Sequence, residues 1–118
     1  MNIVVAEDEV LNSMLIERVL KKMGHTVTLV TNGEQLIEIC KHTSFDVLLV
    51  DISMPIVDGI QAIETIRTTQ NPNMNTKICV LSANYPKQFT LLKQMYSISD
   101  IILKPFTVED ITEKIKTV

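Results

Sequence analysis

The chain has 118 residues, with 14 acids against 11 lysines and arginines. That length can bury a core without disulfides or a structural metal, and so mild a charge leaves no electrostatic footprint for nucleic acid. No apolar stretch approaches the roughly 20 residues needed to span a bilayer, and Met1-Asn2-Ile3 carries neither a charged leader region nor a cleavage site. One domain over residues 1–118 is expected, cytoplasmic and not inserted in a membrane, with Cys40 and Cys79 as reduced thiols inside apolar segments.

In chain order, residues 2–6 are a short apolar run followed by Glu7, Asp8 and Glu9. A helical period runs over 10–23, closed by Gly24. A second apolar run covers 26–30, after which Asn32 and Gln35 form a capping pair at the start of a helix over 33–42. The third run, 46–50, leads to Asp51 and a loop of turn-forming residues through Gly59, then a helix over 59–69. Thr68–Thr76 is a polar loop and is expected to be the least ordered part. The fourth run, 77–82, precedes a helix over 86–96. The fifth, 100–103, precedes Lys104, and Thr107 with Asp110 caps a last helix over 107–117. Near-continuous apolar strands alternating with helices predict an α/β fold, a parallel sheet with helices on both faces, joined by right-handed crossovers.

If the runs are parallel strands, Glu7, Asp8, Asp51, Ser82 and Lys104 all emerge at the carboxyl edge of one sheet, where open α/β sheets bind ligands. Magnesium takes hard oxygen ligands and commonly uses one or two carboxylates plus a phosphate. Glu7, Asp8 and Asp51 supply the carboxylates, and three like charges so close themselves call for a cation. Glu7, Asp8 and Glu9 could instead merely cap the first helix, where acids suit the dipole. A carboxylate can also act as a nucleophile toward phosphorus, and Asp51 is the best placed. Phosphoryl transfer needs positive charge on the equatorial oxygens, which Lys104 would share with the metal. A plain salt bridge from Lys104 to Asp51 describes the same geometry at rest. Ser82 can donate its hydroxyl to a phosphoryl oxygen, and Ala83 leaves its amide reachable.

These residues resemble the receiver domains of two-component response regulators. The similarity spans essentially the whole chain and rests on Glu7-Asp8, Asp51-x-x-Met54-Pro55-x-x-Asp58-Gly59, Ser82-Ala83 and Lys104-Pro105-Phe106. It implies a flavodoxin-like (βα)5 fold with strand order 2-1-3-4-5. It also implies phosphorylation of Asp51 by a partner's phosphohistidine, on a sensor histidine kinase or a histidine phosphotransfer protein. Mg2+ would be bound by Glu7, Asp8, Asp51 and the backbone carbonyl of Ser53, with Mn2+ able to substitute, and Lys104 would contact the phosphoryl group. The Lys104–Pro105 bond would be cis. Two departures stand out. Ile101 occupies a position usually aromatic in the family, and Ser97-Ile98-Ser99-Asp100 replaces a small glycine- or alanine-containing turn. The first helix and Met23-Gly24-His25-Thr26-Val27 look most like the receivers of hybrid sensor kinases.

One surface is read from the residues alone. At about 100° per residue, Leu15, Ile16, Val19 and Met23 share a core-facing arc of the first helix. Val10, Leu11 and Met14 point toward solvent beside Glu7-Asp8, an apolar patch suited to docking a helical partner unless it packs under a loop. His25 and His42 read as surface polar residues, and Asp58 as loop structure. A hydrolase of the haloacid dehalogenase type fits poorly, because Ser53 stands where a second acid is needed. A flavin mononucleotide carrier fits poorly because Glu7-Asp8-Glu9 would repel phosphate. A receiver that only binds, without phosphorylation, is the remaining alternative. A monomer is expected, without turnover catalysis beyond self-phosphorylation and autodephosphorylation, whose output lies in a partner or in further chain.

Overall fold

Strands that are apolar on both faces need helices on both sides, and the computed structural model, which describes residues 1–54, 56–85 and 89–118, has that arrangement. The elements are β1 (Asn2–Ala6), α1 (Val10–Lys22), β2 (Thr26–Val30), α2 (Gly33–His42) and β3 (Val47–Asp51), followed by α3 (Gly59–Thr68), β4 (Lys77–Ser82), α4 (Phe89–Tyr96), β5 (Ile98–Leu103) and α5 (Val108–Thr117). Neighbouring strands pair in parallel in the order β2-β1-β3-β4-β5. The chain runs outward from β1 to β2 on one side and from β3 to β5 on the other. The crevice at that reversal opens at the carboxyl ends of β1 and β3.

Successive strand residues alternate between the two faces. Val4, Ala6, Leu48, Val50 and Val80 pack with Leu36 of α2, Ile63 of α3 and Phe89 of α4. Ile3, Val5, Leu49, Cys79 and Leu81 pack with Ile16 and Leu20 of α1 and Ile111 of α5. Both cysteines are free and buried, and burial pushes each thiol up to about 12.

Cap chemistry sets most helix boundaries. Gly24 follows α1 with φ 93°, a conformation open to glycine. Asn32 accepts the Gln35 N–H at the start of α2. Reciprocal capping boxes open α3 (Asp58 with Gln61) and α5 (Thr107 with Asp110), so Asp58 works as a helix cap.

Four expectations need correction. The buried arc of α1 is Ser13, Ile16, Val19 and Leu20, with Leu15 and Met23 only half-buried at its flanks. The helix lies between β2 and α5, and this centres the arc on Ile16 and Leu20. The third strand runs one residue later than read, so Asp51 is its last member; Asp46 instead accepts the Asn2 N–H at 2.6 Å. The fifth strand starts at Ile98, two residues early. Its pairing with β4 steps from Ile78↔Ile98 to Cys79↔Asp100, so Ser99 is the extra residue of a bulge, which hid the period. The start of the fourth helix, expected at 86, lies outside the described residues, and Phe89 is the first helical residue among those described.

The fourth correction is the largest. Thr68–Thr76 is firmly held. Asn73 is fully buried, accepts the Phe45 N–H at 2.9 Å, and donates to the carbonyls of Cys40 and Thr43 at 2.9 and 2.7 Å. Arg67 adds bonds to the carbonyls of Met74 (2.9 Å) and Tyr96 (2.6 Å). A polar composition concealed these ties because the partners in Cys40, Thr43, Phe45 and Tyr96 are backbone groups distant in sequence.

Candidate functional site

The crevice is built from four strand ends. Glu7 and Asp8 directly follow β1, Asp51 ends β3, Ser82 ends β4 and Lys104 follows β5. Parallel register brings them to one edge. Ala6 pairs with Val50, Asp51 with Leu81, and Ser82 with Leu103.

Glu7 and Asp51 are buried, whereas Asp8 is exposed. One carboxylate oxygen from each of Glu7, Asp8 and Asp51 lies within 4.8 Å of the others. An octahedral magnesium with bonds of about 2.1 Å holds opposite oxygens roughly 4.2 Å apart. A hard oxygen donor set of this spread therefore fits one divalent ion with small side-chain adjustment.

Lys104 sits between two of the acids, with Nζ 2.8 Å from Glu7 Oε1 and 3.0 Å from Asp51 Oδ2. Burial opposes the ammonium, but the hydrogen bonds to Glu7 and Asp51 outweigh it and hold the Lys104 pKa above the ordinary lysine value. Burial also dominates at Glu7 and, with Asp51 adjacent and Lys104 only partly compensating, pushes its carboxyl up to about 7. Glu9 is the N-cap residue of α1 yet makes no side-chain cap bond, and its N–H donates to Glu7 Oε2 at 3.1 Å. Glu7 thus reaches both Lys104 in the crevice and the backbone at the start of α1.

The other predicted residues occupy the same rim. Ser53 donates its N–H to Asp51 Oδ1 at 2.9 Å, which fixes that carboxylate. The Ser82 hydroxyl donates to the Asn84 carbonyl and accepts the Asn84 N–H at 3.2 Å. Ala83 is exposed. The Lys104–Pro105 peptide is cis, as the resemblance implied. Pro55 lies outside the described residues. Val10, Leu11 and Met14 are exposed by 67, 77 and 55% on the first turns of α1, beside this rim. The reading that Leu11 and Met14 pack under a loop is thereby ruled out.

Sequence reasoning missed two features. The Glu7–Lys104 pair joins the first and last strands of the site, and nothing local signals it. Asn12, five residues after Glu7, turns its amide back toward Glu7 Oε1 at 3.5 Å from the first turn of α1, a spacing that could have drawn notice.

A family model, the response regulator receiver domain, matches residues 3–116. The chain belongs to that family. This receiver domain is 33% identical over 110 residues to transcription factor SKN7 of Candida albicans, covering 93% of the chain and 19% of that protein. It is 29% identical over 120 residues to hybrid signal transduction histidine kinase K of Dictyostelium discoideum, covering 97% of the chain and 10% of the kinase. The domain thus spans a fifth or less of these curated relatives. Among solved structures, the receiver domain of sensor histidine kinase PA1611 from Pseudomonas aeruginosa superposes with a TM-score of 0.86 at 28% identity, covering 98% of this chain and 94% of that one. That structure carries a magnesium ion in its active-site cleft. The receiver domain described here is thus a module of two-component signalling. Among its described residues no helix is long and apolar enough to cross a membrane.

Proposed function

We propose that residues 1–118 form one phosphoacceptor domain in which Asp51 takes a phosphoryl group from a phosphohistidine on a sensor kinase or histidine phosphotransfer protein. The observation that carries this reading is the meeting of Glu7, Asp8, Asp51 and Lys104 at one strand edge. An Asp51 carboxylate oxygen attacks phosphorus, the P–N bond to the donor imidazole breaks, and its electron pair leaves on the imidazole nitrogen. Lys104, paired at rest with Asp51, turns its ammonium to a phosphoryl oxygen. Ser82 donates its hydroxyl, and the Ala83 N–H is available to a second oxygen. Glu7, Asp8, Asp51 and the Ser53 carbonyl hold Mg2+, or Mn2+ in its place. The ion supplies charge neutralisation on the phosphoryl oxygens. Receiver domains are not conventional turnover enzymes, and the expected reactions are self-phosphorylation and autodephosphorylation.

Val10, Leu11 and Met14 supply the docking surface for the phosphohistidine partner, an apolar patch on α1 beside the acids. Met14→Asp should leave the fold intact and slow transfer from that partner without slowing phosphorylation by acetyl phosphate. Equal slowing with both donors would remove the docking role.

The central test is intact mass measurement after incubation with Mg2+ and acetyl phosphate, beside Asp51→Asn. A magnesium-dependent gain of one phosphoryl group (about 80 Da) that the variant loses supports phosphorylation of Asp51. A protein unmodified by acetyl phosphate and by a phosphohistidine donor alike would be a binding-only receiver.

A further inference from the structure

We infer that Asn12 is a positioning residue for phosphorylation: its side-chain amide takes over Glu7 Oε1 when the Lys104 ammonium leaves that oxygen for the phosphoryl group. The inference rests on Asp51 being the phosphoacceptor.

Glu7 is 1% exposed, so its carboxylate depends on donors within the protein. Among the described residues there are three. The Glu9 N–H bonds Oε2 at 3.1 Å. Oε1 faces both Lys104 Nζ at 2.8 Å and Asn12 Nδ2 at 3.5 Å. The ammonium holds that oxygen closely, and the amide stands back at the limit of hydrogen-bond distance.

Lys104 is shared at rest between Glu7 and Asp51. A phosphoryl group on Asp51 presents charged oxygens to the ammonium, and as Lys104 turns to them Glu7 Oε1 loses its close donor. A buried carboxylate oxygen left without one is costly. The Glu9 N–H already serves the other oxygen, so Asn12 is what remains for Oε1. A donor that bonds a metal-binding carboxylate also fixes its orientation, and Glu7 is one of the acids that would hold Mg2+.

Asn12 is free for this part. It lies half-buried in the first turn of α1, and its amide makes no other hydrogen bond among the described residues. The residues around it are turned elsewhere. Val10 and Leu11 are exposed, and the Ser13 hydroxyl donates to the Val10 carbonyl. An approach of about half an ångström would bring the amide to ordinary hydrogen-bond distance. Being neutral, it serves Glu7 without competing with Lys104 for the phosphoryl oxygens.

The test uses beryllofluoride, a small phosphoryl analogue, so that the apolar patch on α1 plays no part. Fluorine NMR at saturating Mg2+ reads its binding, and calorimetry reads the binding of Mg2+ alone. Asn12→Ala keeps a good helix former in α1. It should weaken beryllofluoride binding about tenfold and change the Mg2+ affinity of the resting protein by less than about twofold, because Lys104 still holds Glu7 there. Asn12→Gln, which keeps the amide, should recover most of the loss. Equal beryllofluoride affinity in Asn12→Ala and wild type overturns the inference alone. So does an equal loss of both affinities, or no recovery in Asn12→Gln, since either marks Asn12 as a general support of the helix. Failure of wild type to bind beryllofluoride, with no phosphoryl gain at Asp51 from any donor, removes the phosphoacceptor reading and this inference with it.

Discussion

Lys104 lies closer to Glu7 (2.8 Å) than to Asp51 (3.0 Å), so the lysine pairs with the first acid of the site as well as with Asp51. Its removal leaves two buried carboxylates and Asp8 together without a cation. Breaking a buried pair by deleting one partner costs several kcal/mol, chiefly through the charge left behind. Lys104→Ala should lower unfolding free energy by roughly 3 kcal/mol in EDTA. Excess Mg2+ should return part of it through preferential binding to the folded state. Urea denaturation with and without Mg2+ reads both effects. An identical loss in the two conditions would mean that the cluster is not what suffers.

Glu7 makes stability depend on pH in a stated direction. Its carboxyl stands at about 7 in the folded protein against an ordinary 4.5. Between those values the native state binds more protons than the unfolded one, so stability falls as pH rises through the window. Metal-free protein should therefore lose stability from pH 5 to 8 on account of this group. In Glu7→Gln that part of the decline should vanish. The variant should gain on wild type across the window by on the order of 2 kcal/mol. Thermal melts in EDTA over this pH range would reveal it; parallel curves for the two proteins would contradict the assignment.

Gly59 has no room for a side chain. A Cβ there would collide with the Asp51 carbonyl oxygen and the Ile52 Cα. Gly59→Ala must push the start of α3 away from the end of β3, at a cost of roughly 1–3 kcal/mol. The displaced backbone carries Asp51, so phosphorylation by acetyl phosphate should slow as well. Unchanged stability and an unchanged rate would show that the two elements can separate freely.

Asn73 links three segments far from the chemistry. Truncation to alanine strands the Phe45 N–H and the Cys40 carbonyl inside the protein and takes the partner from the half-buried Thr43 carbonyl. Each unsatisfied group costs about 1–3 kcal/mol, so Asn73→Ala should destabilise by at least about 2 kcal/mol. Phosphorylation measured below the melting range should be unaltered. A slowed rate in fully folded protein would place this network in contact with the site, against the geometry.

Local signals sufficed for much of this protein. Uninterrupted apolar strands such as Val47–Val50 announce burial on both faces. Caps at Asn32 and Thr107 are chemistry between residues three apart, which a sequence displays directly; Asp58, read as loop structure, caps α3 by the same chemistry. Because parallel strands end at one edge, polar residues just past apolar runs belong to one site. The exposure of Val10, Leu11 and Met14 followed from helical period alone. Where partners lie far apart in the chain, the signal was absent. The Glu7–Lys104 ion pair, the burial of Asn73 and the anchoring of Thr68–Thr76 all depend on which segments the sheet order makes neighbours. The bulge at Ser99 and the resting bonds of Ser82 likewise arise from pairing and packing. Residue types and their periods determined the fold class and the edge that carries the acids. Tertiary structure alone decided which charge neutralises which, because Coulombic and hydrogen-bond partners are set by distance in space.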